Sequence, residues 1–101
     1  MDTSVNVEGA RAVIKLNGRF DFNAHRDFRL ASESVMTRAD VREVQLDMAQ
    51  VAYLDSSALG MLLMLRDKAK AGNKQLALTN CMRNVKQVLE IANFNKLFDI
   101  S

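Results

Sequence analysis

Hydrophobic and polar positions recur along this chain with two periods, and the places where the period changes mark its elements. Val5 and Val7 alternate with Ser4 and Asn6, and Ala12-Val13-Ile14-Lys15-Leu16 is an apolar, β-branched run stopped by Asn17-Gly18. Glu8-Gly9-Ala10-Arg11 between them has the composition of a hairpin turn. After Asp21 the period lengthens. Phe28, Ala31, Val35 and Met36 share a helical face, while His25, Arg26, Asp27, Arg29 and Glu33 fill the other. Val44, Leu46 and Met48 then alternate with Gln45 and Asp47, as in a strand. Asp55-Ser56-Ser57 precedes an apolar helix over 58–71, closed by Gly72-Asn73. Leu76-Ala77-Leu78 reads as a short strand, and 84–91 as a helix with Val85, Val88, Leu89 and Ala92 on one face. Residues 97–100 read as a last short strand.

This order predicts an α/β domain: a mixed, mostly parallel β-sheet with an N-terminal β-hairpin and helices packed against it. Strands separated by helices pair in parallel through right-handed crossovers, and short apolar runs suit buried parallel strands. The 101 residues suffice for a single domain over 1–101, and no proline, repeat or low-complexity linker divides them.

Composition narrows the function. With 49% hydrophobic residues the chain builds a core. The net charge is only +2, and acidic and basic residues intermingle through 38–47 and 66–70, so no basic surface for nucleic acid is expected. Cys81 is alone, which rules out an intrachain disulfide and reads as a partly buried thiol. Met1 to Asn6 lacks the basic and apolar regions of a signal peptide, and Ala58–Leu65 is far shorter than a span of about 20 residues. The expectation is a cytoplasmic protein without membrane insertion. Ser56 sits in no Gly-x-Ser-x-Gly turn, and His25, the single histidine, lies on a polar helix face. Neither catalysis, a metal site nor a cofactor is therefore expected.

Interest concentrates at Val51 to Gly60. Asp55 and Ser56 are both ordinary N-cap residues for the helix after them. A hydroxyl there also faces free amides and the positive end of the helix dipole, so a phosphate is tolerated. Phosphorylation adds about −1.5 to −2 charges, enough to cancel most of the net charge of +2. A partner fitted to the bare Ser56 surface then meets an unpaired charge beside Asp55. Met61-Leu62-Leu63-Met64-Leu65 makes the helix apolar nearly all round, and Ala58, Met61, Met64 and Leu65 are candidate partner contacts.

Leu54-Asp55-Ser56-Ser57-Ala58-Leu59-Gly60, between an apolar strand and an apolar helix, resembles the signature of the STAS-domain anti-sigma factor antagonists of bacteria. Leu16 to Asp21 and Asn93 to Phe98 resemble two further recurring segments of that family, and the likeness runs from Val5 to Ile100. It implies a STAS-like fold and phosphorylation at Ser56, the first serine after the aspartate, with Ser57 as its neighbour. It also places Asp21 near that site, supporting recognition by the kinase. The family usually has glycine where this chain has Ala58. The implied function is partner switching in signal transduction. Unphosphorylated, such a protein binds an anti-sigma factor that is also a GHKL-type serine kinase and releases its sigma factor or another regulator. Phosphorylation inactivates it, and a PP2C-type phosphatase restores it. Stand-alone STAS domains also serve as accessory subunits of bacterial phospholipid ABC transporters, bound to an ATPase. The intact Asp55-Ser56-Ser57 with Asp21 favours the switch.

Overall fold

The structure is a computed structural model that describes all of Met1–Ser101. Its first two strands, β1 (Asp2–Glu8) and β2 (Arg11–Asn17), form the expected hairpin, turned at Gly9 with a positive φ of 62°. A single 3-10 turn (Phe22–Ala24) leads into helix α1 (His25–Met36), followed by strand β3 (Glu43–Gln50). Helix α2 (Ser56–Ala71), strand β4 (Gln75–Thr79) and helix α3 (Arg83–Ile91) come next. A 3-10 turn (Phe94–Lys96) and the short strand β5 (Asp99–Ile100) end the chain. The strands lie in the order β1-β2-β3-β4-β5, antiparallel only between β1 and β2 and parallel elsewhere. The α/β domain with a mixed, mostly parallel sheet is therefore present.

The sheet buries one face. Ala12, Ile14 and Leu16 of β2, Val44, Leu46 and Met48 of β3, and Leu78 of β4 point into a single core. The interleaved Lys15, Gln45, Asp47, Ala77 and Thr79 retain some exposure. The parallel strands are thus not buried on both faces, because Lys15, Gln45 and Asp47 alternate too strictly for two apolar surfaces. Over the buried face lie Phe28, Ala31 and Val35 of α1 and Met61, Leu62 and Leu65 of α2, with Val85 and Leu89 of α3.

Chain punctuation follows the expectation at one point and departs from it at another. Helix α2 closes at Gly72-Asn73 as expected, with Asn73 the left-handed residue, at φ 55°. Its geometry lets the Lys74 amide donate to the Ala69 carbonyl at 2.8 Å, closing the last turn. The last strand, by contrast, is shorter than 97–100. Phe94 and Phe98, four residues apart, follow a helical period and stack in the core with centroids 5.4 Å apart, so extended backbone begins only at Asp99.

Candidate functional site

The site is built where β2 and β3 end. Asp47, near the end of β3, accepts from the Ala49 amide (3.0 Å) and from Asn80 Nδ2 (3.2 Å). Pairing between the strands shifts by one residue here, since Lys15 faces Asp47 but Asn17 faces Gln50. Such a bulge bends the strand. Beyond it the two segments remain together: the Phe20 amide donates to the Tyr53 carbonyl (3.0 Å), and the Asp55 amide donates to the Phe20 carbonyl (3.2 Å). Phe20 and Leu54 form an isolated parallel bridge, and both side chains are buried.

Each segment then ends in an aspartate that caps the next helical turn. Asp21 Oδ1 accepts from the Asn23 amide (3.0 Å) at the turn before α1, and Asp55 Oδ1 accepts from the Ala58 amide (3.0 Å) at the start of α2. The paired backbone puts Asp21 and Asp55 at neighbouring strand ends, roughly one inter-strand spacing of about 5 Å apart along the sheet. Ligand sites of parallel sheets lie at such carboxyl ends.

Of the two candidate caps, Asp55 therefore takes the role and Ser56 does not. Ser56 is the first helical residue, is exposed, and its hydroxyl makes no hydrogen bond within the chain. Ser57, half-buried beside it, is likewise free of side-chain bonds. The first helical bond runs from the Leu59 amide to the Asp55 carbonyl at 3.2 Å, which leaves the amides of Ser56 and Ser57 open. Asp55→Ala is expected to cost about 1 kcal/mol, lowering Tm by roughly 4–8 °C, while Asp55→Asn keeps most of the stability. Thermal denaturation of both variants checks this; equal losses would mean that charge, not the hydrogen bond, holds the helix start.

The expected partner contacts are corrected by burial. Ala58, Met61 and Leu65 are core residues, and of the four only Met64 is open, at 58% exposure. Helix α2 is held against α1 and β4, and Arg66 Nε donates to the Leu97 carbonyl (3.0 Å) on a third side. Its apolar surface is consumed internally on several sides. What remains outside is a strip through Ser56, Gly60, Leu63, Met64 and Asp67. The methyl of Ala58, where the resembling proteins have glycine, faces inward.

Several neighbours were given no role by the sequence and find their contacts only in three dimensions. Arg19 lies over the Tyr53 ring, 4.1 Å from its centroid, and reaches Asp21 Oδ2 at 3.5 Å. Asn84 of α3 donates to the Ala52 carbonyl (2.8 Å) and ties α3 to the loop before α2. Phe22, 73% exposed, projects from the turn that Asp21 caps. Elsewhere Cys81 is half-buried, and burial pushes its thiol pKa up, with Lys86 opposing; this is a quiet thiol. His25 is exposed on α1. No helix is long and apolar enough to cross a membrane.

Known proteins agree with this architecture. A family model described as "Mlab, STAS domain" matches residues 3–99. A STAS-domain containing protein of Pseudomonas aeruginosa (strain UCBPP-PA14) is 48% identical over 96 residues, covering 95% of this chain and 93% of that protein. The anti-sigma factor antagonist SpoIIAA in its unphosphorylated form superposes with a TM-score of 0.75 at 18% identity, over 99% of this chain and 87% of that one. An anti-sigma factor antagonist from Mycobacterium paratuberculosis gives a TM-score of 0.86 at 16% identity, over 98% and 83%. At such identities the superpositions speak for the fold. The family model and the Pseudomonas relative carry the assignment further: this chain is a member of the STAS-domain family.

Proposed function

We propose that this protein is an anti-sigma factor antagonist, a protein-binding switch controlled at Ser56. Unphosphorylated, it binds an anti-sigma factor that is also a GHKL-type serine kinase and frees the sigma factor or other regulator held there. The kinase transfers the terminal phosphoryl group of ATP to Ser56 Oγ, whose proton leaves, and the complex dissociates. A PP2C-type phosphatase hydrolyses the phosphoserine and resets the switch.

The observation that carries this reading is the division of labour between Asp55 and Ser56. Asp55 caps α2, so the Ser56 hydroxyl has no structural task and stands exposed at the helix start. A serine kept only to cap would be bonded to the amides, as Asp55 is. A phosphate on Ser56 sits at the positive helix end with two open amides nearby, so the fold tolerates it. Added beside Asp21 and Asp55, the phosphate charge makes the same spot repellent to a partner shaped for the bare hydroxyl. The same fold is also known for the Bacillus cell fate determinant SpoIIAA in its phosphorylated form, at a TM-score of 0.74.

The test is to recover partners from the native bacterium with tagged wild-type, Ser56→Ala and Ser56→Asp proteins and identify them by mass spectrometry. A serine kinase held by wild type and Ser56→Ala but lost by Ser56→Asp is the expected result. If all three retain a transporter ATPase instead, the accessory-subunit reading replaces this one.

A further inference from the structure

Gly60 stands in the second turn of α2 without a reason inside the fold. It is exposed, and a Cβ built on it meets nothing within 4 Å. Its φ is not in the left-handed region, so no backbone conformation demands glycine. A glycine inside a helix is unfavourable relative to alanine, and this one sits on the strip that leads from Ser56 to Met64. A bare backbone on an outer helix surface serves close approach by something outside the chain.

Beside that strip, α1 and α2 enclose a groove lined by Phe28, Met61, Leu65 and Met64 with the buried Ser32, while the exposed His25, Arg29 and Lys68 edge it. Its cavity is about 30 Å³, far below the several hundred of a metabolite pocket; it has room for the tip of one apolar side chain. No carboxylate lines it. Arg29 forms no ion pair within the chain, whereas Lys68 Nζ meets Glu33 at 3.7 Å and Asp67 lies exposed on the neighbouring strip. An apolar slot with a cationic rim, an adaptable methionine and a bare helix backbone beside it complements one kind of surface.

We propose that the α1–α2 groove seats an acidic amphipathic helix of a partner protein. That helix crosses α2 at Gly60, places one apolar side chain between Phe28 and Met64, and sets carboxylates against Arg29 and Lys68. The inference deepens the switch reading in naming the partner's docking element and rests on it only in that a protein partner exists, since groove binding needs no phosphate.

Two short helical peptides test it, sharing one apolar stripe and differing only in carrying glutamate or lysine around it. Each is titrated into the isotope-labelled full chain and followed by amide chemical shifts. The acidic peptide is expected to shift residues 25–32 and 60–68 and to bind at least about tenfold more tightly than the basic one. Arg29→Glu removes that preference, and Gly60→Leu abolishes binding while the protein stays folded. Gly60→Ala raises Tm, because no contact in the fold needs the glycine. Groove binding by the acidic peptide persists in Ser56→Asp even if the phospho-switch fails its own test, which separates the two ideas. Equal binding of both peptides, shifts outside the groove, no binding at millimolar peptide, or a lowered Tm for Gly60→Ala each overturns the inference.

Discussion

Replacing Ser56 with aspartate is expected to weaken the complex with the unphosphorylated-state partner by 2–5 kcal/mol, about 30-fold to several thousand-fold in Kd. The size comes from burial. On the free protein the Ser56 hydroxyl is in water and bonded to nothing in the chain. At the centre of an interface, a carboxylate there loses its hydration and finds Asp55 nearby rather than a cation. The folded protein does not share that loss. An acidic residue in the first turn of α2 interacts favourably with the helix dipole, by about 0.3–1 kcal/mol, and Asp55 offsets part of it. Binding should therefore collapse while Tm stays level or rises slightly, and Ser56→Ala should bind as wild type. Calorimetric titration of the purified partner together with thermal denaturation separates the two effects. Parallel losses in both would mean that Ser56 is a structural residue, contrary to the cap assignment.

Element order was legible in the sequence because the periods were clean. Val44, Leu46 and Met48 with polar residues between admit only a strand with one buried side, and Phe28, Ala31 and Val35 only a helix. Ser56 was legible as a position too, since aspartate before an apolar helical run marks a helix start. What the residues left open was which of Asp55 and Ser56 caps; both types do it, and only the 3.0 Å bond to the Ala58 amide decides. The partner surface was misread for a related reason. A helix apolar on every side does not reveal which neighbours claim it, and Met61 and Leu65 are claimed by α1 and the sheet while Met64 is not. Arg19, Tyr53 and Asn84 lie within segments the sequence marks, but their contacts to each other and to Ala52 join residues more than thirty apart and could not be read from it. Gly60 was visible as a letter in the motif, yet its meaning came from the empty space around it.

Phe20→Ala is expected to be the most damaging single change near the site, costing about 3–5 kcal/mol against a total stability of about 5–15 kcal/mol. Its side chain is fully buried, with the ring 5.0 Å from that of Phe28, and its backbone bridges to Leu54. Truncation opens a cavity beneath the paired loops that cannot collapse easily, because Phe28, Leu54 and the strand ends are each fixed from another side. Tm should fall by roughly 12–40 °C on the scale of about 4–8 °C per kcal/mol. Partner binding should fall with it, since the ring supports the segment whose main-chain bonds to Tyr53 and Asp55 align the two caps. Phe22→Ala provides the control. That ring is 73% exposed, so its removal should change stability by less than about 0.5 kcal/mol. Denaturant titration of both variants distinguishes a clamp from a coincidence. If Phe20→Ala costs no more than Phe22→Ala, the loops carrying Asp21 and Asp55 are held by their backbone bonds alone, and the buried ring beneath them is dispensable.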